Sequence, residues 1–124
     1  MLPFGVTLRP GQPVYEQVIY AVHKALVGGQ MKPGDPFPSV RALSKELKIN
    51  PNTAFKIVAH LKQDGLLVVE PGRGTFISHD YKPADADKTA LLGTTIEELV
   101  VEARKLNLTK SDVQKAIDKH WKNL

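Results

Sequence analysis

No cysteine occurs among the 124 residues, which excludes disulfides, thiolate metal sites and a cysteine nucleophile. Nothing approaches the run of about 18 apolar residues that a membrane span needs. The opening MLPFGVTLRP lacks a basic start followed by a long apolar run, so neither a span nor a secretory leader is read, and a cytoplasmic location is expected. There is no internal repeat and no low-complexity segment. No His, Asp and Ser cluster and no carboxylate pair stands at a spacing that chemistry could use, which argues against an enzyme. His23, His60, His79 and His120 are scattered singly. Each reads as a surface or half-buried residue, and their convergence on a metal in a dimer is the weaker reading; no cofactor or metal site is expected. Aromatic residues make up only 6% of the chain, with one tryptophan, Trp121.

What is present is ordinary for a soluble globular chain: 42% hydrophobic and 24% charged residues, enough for one compact domain and a small appendage. The net charge of +4 favours a polyanionic partner. Residues 1–80 hold nine Lys/Arg against six Asp/Glu, and residues 81–124 hold eight against seven, so the excess lies mainly in the first part.

Val14, Val18, Ile19, Val22 and Leu26 recur at helical spacing until Gly28-Gly29, which predicts a first helix. Residues 31–38 carry three prolines and a glycine and read as an ordered loop. Ser39 is the expected N-cap of a second helix with Val40, Leu43 and Leu47 on its apolar stripe. Asn50 caps a third, with Pro51 in the first helical position, Ala54, Ile57, Val58 and Leu61 on the buried face, and Gly65 as its left-handed stop. Residues 66–70 and 75–78 flank Pro71-Gly72-Arg73-Gly74 as a hairpin. Residues 81–88 read as a linker or a frayed helix start. Thr95-Ile96-Glu97-Glu98 fits a capping box, followed by the stripe Ile96, Leu99, Val100, Ala103 and Leu106. After a break at residues 107–109, Thr109 and Asp112 start a last helix bearing Val113, Ala116, Ile117, His120, Trp121 and Leu124 on one face.

The fold class is therefore mainly α with a small β-hairpin. Residues 1–80 form an N-terminal winged helix-turn-helix, and residues 81–124 form a C-terminal αα-hairpin tail. In such a fold the helix after the tight turn enters the major groove of double-stranded DNA, which is about 12 Å wide, and short polar side chains in its first turns read the base edges. Asn52, Thr53 and Lys56 lie there; the alternative is that Asn50 to Thr53 only cap the helix. Arg41, in the first turn of the second helix, is poorly placed against the helix dipole and suits a phosphate or guanine contact, with a surface ion pair as the alternative. Gly72-Arg73-Gly74 puts a cation at the tip of a narrow hairpin, suited to a phosphate or a minor groove.

Pro13-Val14-Tyr15-Glu16-Gln17, Pro33-Gly34-Asp35, Pro38-Ser39-Val40-Arg41-Ala42-Leu43, Asn50-Pro51-Asn52-Thr53, Leu61, Gly65-Leu66 and Gly72-Arg73-Gly74-Thr75-Phe76 occur in an order and spacing that resemble the GntR family of bacterial transcription regulators. The Asn-Pro-Asn-Thr opening and the short tail resemble its YtrA-like subfamily. The resemblance implies a homodimeric repressor on an inverted-repeat operator, often beside transporter genes. It places DNA contacts on Ser39, Arg41, Asn52, Thr53, Lys56 and the wing residues Gly72, Arg73 and Gly74, and Asn50 and Phe55 beside them complete the set of candidate DNA-binding residues. Two positions depart from the family: Ala54 replaces a larger aliphatic residue, and Phe55 stands where a polar or basic residue is usual. Phe55 either touches a thymine methyl or packs inward and rotates the helix.

Two short amphipathic helices bury their stripes poorly on each other, so the tail is expected to dimerise through Leu99, Val100, Ala103, Val113, Ile117 and Trp121. Packing on the chain's own first helix is the alternative. A small-molecule effector stays open, with any pocket expected to be small and to lie between wing domain and tail. A winged helix used for protein contact or RNA is the rival function.

Overall fold

The computed structural model describes all 124 residues. Helix α1 (Val14–Val27) begins behind Pro13, whose φ of −58° sets the entry of the chain, and turns Val18, Ala21, Val22 and Ala25 inward. It ends where Gly29 adopts φ +80° and the N–H groups of Gln30 and Met31 donate back to the Ala25 carbonyl.

Residues 31–38, expected as a loop, contain the two-residue strand β1 (Pro36–Phe37). It pairs antiparallel with β3 (Gly74–Ile77), matching Pro36 to Phe76 and Phe37 to Thr75. On the other side of β3 lies β2 (Leu67–Glu70), giving the order β1-β3-β2. Pro36 cannot donate to a ladder, and an edge position tolerates that. Two residues offer no period to read, which is why the pattern missed the strand. Gly34, at φ +91°, donates to the Ile77 carbonyl at 2.8 Å. A Cβ there would come 3.0 Å from the His79 ring, so the turn into β1 needs glycine.

Helices α2 (Val40–Leu47) and α3 (Pro51–Gln63) pack on each other, and α3 also packs on α1. Val18, Val22, Met31, Leu43, Ile57, Leu61, Leu66 and Ile77 form the centre of the core. Each such side chain contributes about 1.5–3 kcal/mol on burial. The N-terminal residues add to it in a way the sequence reading did not anticipate. Leu2, Phe4, Val6 and Leu8 lie against the core, and Phe4, 5% exposed, stacks on Phe37 with ring centres 6.0 Å apart. Gln17 ties this arm down: its carbonyl oxygen accepts the Arg9 N–H at 2.8 Å, and its amide donates to the carbonyls of Arg9 and Gln12.

The chain divides into two units, Met1–Tyr81 and Lys82–Leu124. In the second, α4 (Asp85–Ala90) runs through a π-helical turn, Leu91–Thr95, into α5 (Ile96–Lys105). Thr95 therefore does not start a helix. Its φ and ψ of −65° and −44° are helical, and its side chain caps nothing. Ala90, Leu91 and Leu92 upstream are good helix formers, and a cap exists only where the preceding residue leaves the helix. The frayed start read over 81–88 is the beginning of this longer helix. Asn107, at φ +59°, closes α5, with the Leu108 N–H donating to the Ala103 carbonyl.

Helix α6 (Lys110–Lys122) starts at the expected capping box: Thr109 Oγ1 accepts the Asp112 N–H, and Asp112 accepts the Thr109 N–H at 2.8 Å. Those bonds hold the Asp112 carboxyl below its ordinary pKa, the backbone bond foremost. Of the expected stripe only Ala103 is buried; Leu99, Val100, Ile117 and Trp121 are exposed, and Val113 is half-buried. No helix is long and apolar enough to cross a membrane.

Candidate nucleic-acid interface

The turn between α2 and α3 is held by four local devices. Lys48 adopts the left-handed conformation at φ 55° as the C-cap of α2. The Ser44 hydroxyl donates to the Ile49 carbonyl at 2.7 Å, while the Ile49 N–H donates to the Ser44 carbonyl. Asn50 Oδ1 then accepts the Asn52 N–H at 2.7 Å. The oxygen of Asn50 is thus engaged in starting α3, and its amide nitrogen is the part left for an outside partner. Ser39 does the same service for α2, its Oγ accepting the Ala42 N–H at 3.1 Å.

Because Asn50 fixes the first turn, the rest of α3 follows at helical period. Ala54, Ile57, Val58 and Leu61 point into the core, and Asn52, Phe55, Lys56 and Ala59 point out, with Thr53 half-buried beside them. Phe55 is 64% exposed, so it does not pack inward and does not rotate the helix. Ala54 occupies the buried slot instead. No Asp or Glu lies on α3. Near its end, His60 Nε2 lies 2.9 Å from Asp64 and its ring meets Tyr15 of α1 edge to face at 5.5 Å. This polar tie to α1 was not foreseen, since it depends on two residues 45 positions apart being brought together.

Arg41 is exposed in the first turn of α2, and none of the chain's four ion pairs includes it. The ion-pair alternative for Arg41 therefore has no support. Arg73 behaves differently. In the turn after β2, Pro71 is followed by Gly72 at φ +77°, and the Arg73 N–H donates to the Glu70 carbonyl at 2.9 Å, the pattern of a type II turn. Gly74, at φ +123°, restarts the strand. The Arg73 guanidinium does not project from the tip: Nη1 donates to Glu70 Oε2 at 2.5 Å, and its carbon sits 5.0 Å above the Phe76 ring. The wing cation is thus held along its own hairpin.

Three helices closed by a three-stranded sheet, with a polar and cationic face on the helix that follows the tight turn, define a winged helix-turn-helix. The chain belongs to the GntR family: the family's description, bacterial regulatory proteins, gntR family, matches residues 14–77. It is 35% identical over 96 residues to the HTH-type transcriptional repressor YtrA of Bacillus subtilis (strain 168), covering 77% of this chain and 74% of that protein. To the HTH-type transcriptional regulator YhcF of the same organism it is 31% identical over 109 residues, covering 88% and 90%. The fold is shared with a crystal structure of a transcriptional antiterminator from Listeria monocytogenes EGD-e, at TM-score 0.78 and 24% identity over 94% of this chain and 88% of that one. It is also shared with YtrA from Sulfolobus acidocaldarius, at TM-score 0.53 and 22% identity over 97% of both chains. The protein is a DNA-binding transcription regulator, and its named relatives are regulators.

Proposed function

We propose that this chain is a homodimeric repressor that binds an inverted-repeat operator. Residues 1–80 carry the DNA contacts and residues 81–124 the dimer contacts. The observation that carries the reading is the outward face of α3, where Asn52, Thr53, Phe55 and Lys56 stand over a fully buried opposite face on a helix without a carboxylate. A major groove accepts such a helix, and its phosphates favour the positive N-terminal end. Ser39, the Asn50 amide, exposed Arg41 and the wing residues Gly72, Arg73 and Gly74 supply the remaining contacts. Arg73 does so after exchanging Glu70 for a phosphate.

Dimerisation is supported by the second unit's exposed stripe of Leu99, Val100, Ile117 and Trp121, an apolar surface with no cover in one chain. Repression is the activity named for the YtrA relative, and control of a transporter operon is what the subfamily resemblance adds. An effector has a candidate seat in the first unit, a cavity of about 310 Å³ lined in part by His23, Leu26, Met31, Leu66, His79 and Tyr81.

Selection from a random duplex pool tests the reading directly. The expected product is an inverted repeat with half-site centres about one DNA turn, on the order of 34 Å, apart. A single unrepeated site, or no consensus, would overturn it. Binding should also weaken steeply with salt, the logarithm of affinity falling by about 0.9 per phosphate neutralised for each log unit of salt. A salt-insensitive interaction would point to the rival protein-binding use of the fold.

A further inference from the structure

Phe55 is the one large apolar side chain that α2 and α3 leave in the open. The helix has no room for it inside, because Ala54, Ile57 and Leu61 are fully buried and any rotation that hid the ring would expel them. It shares a shallow surface with Thr53, Lys56 and Ala59, and the nearest cation along the helix is Lys56. An apolar ring set in a cationic, carboxylate-free face is suited to a polyanion that itself displays apolar spots. The C5 methyl of thymine is the apolar group on the major-groove edges of DNA.

We propose that Phe55 reads a thymine methyl at one position in each half-site. This rests on the placement of α3 in the major groove proposed above. The phenyl ring neither donates nor accepts a hydrogen bond, so it cannot distinguish bases by their polar edges. What it recognises is a C5-methylated pyrimidine. Deoxyuridine, which keeps every polar group of thymidine and lacks only the methyl, must bind more weakly than thymidine at that position. 5-Methylcytosine must bind better than cytosine at the same position.

The test uses the full chain and the operator recovered by selection, with thymidines replaced singly by deoxyuridine and affinities measured at fixed salt. One replacement in each half-site is expected to weaken the parent by roughly threefold to tenfold, the value of one buried methyl contact. Phe55→Ala should be insensitive to that same replacement while keeping the parent's melting temperature, since the ring is not part of the core. At that position, methylating a cytosine should strengthen binding of the parent alone. The proposal is overturned if no replacement affects the parent, or if Phe55→Ala retains the full methyl effect. It is also overturned if Phe55→Ala loses affinity equally with and without the methyl, which would make the ring a wedge between base steps. If the parent selects no duplex at all, the operator reading fails first, and that failure is seen before any thymidine is replaced.

Discussion

The two units of this protein are built from similar amphipathic helices and end in opposite states. In the first, α1, α2, α3 and the small sheet cover one another, and the N-terminal arm closes the remaining side with Phe4. In the second, a helix interrupted by a π turn and a capped α6 leave Ala103 as the only buried residue. Trp121 is 80% exposed. An apolar stripe specifies that something must cover it, and whether the cover lies within the chain depends on how many elements are available to converge. The first unit has six and an arm; the second has too few, so its stripe stays exposed in a single chain, and the proposed dimer would cover it.

The sharpest way to break this contrast is to empty the first unit. Leu61→Ala should destabilise it by about 2–5 kcal/mol, seen as a lower denaturation midpoint and loss of DNA binding; an unchanged midpoint would deny that this unit stands on its own core. Trp121→Ala should leave the first unit's unfolding intact and weaken self-association by roughly thirtyfold or more, as truncation of an interface anchor costs about 2 kcal/mol or more. Sedimentation identical to the parent would remove Trp121 from the interface.

Within the first unit the two cations can be compared in the same way. Arg41→Ala, removing an unpaired guanidinium, should weaken operator binding about tenfold without loss of helicity. Glu70→Gln, releasing Arg73, should strengthen binding a few-fold and steepen its salt dependence. No change in the second variant would mean that Arg73 stays along the wing when DNA is bound.

The smallest effect concerns the tail. The carboxyl of Asp112 is held below its ordinary value near 3.8 by its bonds to Thr109. The stabilisation it gives α6 is therefore present above that value and lost as pH falls through the lower folded one. Helicity of α6 should decline slightly below about pH 4 in the parent. Asp112→Asn should lack that step.

Where the chain carried its instructions locally, they were legible. Ser39, Asn50 and Thr109 cap helices because their side chains reach a nearby N–H. Gly65 is left-handed where α3 stops. Thr95 misled for the same local reason: its capping box is a valid signal only if the residues before it are not helical, and they are. Strand β1 escaped because its partner, β3, lies about 40 residues further along and no short window contains both. The arm escaped although Leu2, Phe4, Val6 and Leu8 alternate with period two, because an isolated alternation says nothing about which surface receives it.

The fate of charged and aromatic side chains near the interface was decided still later. The sequence by itself determined the helices and hairpin of the winged helix, since caps, glycine stops and hydrophobic period are short-range properties, and its ordered motifs carried the resemblance to the family. The helical spacing already put Ala54 on the buried face, and only the tertiary structure decided that Phe55 stands outside rather than packing inward. It also decided that Arg41 is unpaired while Arg73 lies against Glu70 and Phe76. Those outcomes depend on which side chains compete for the same space once distant elements meet.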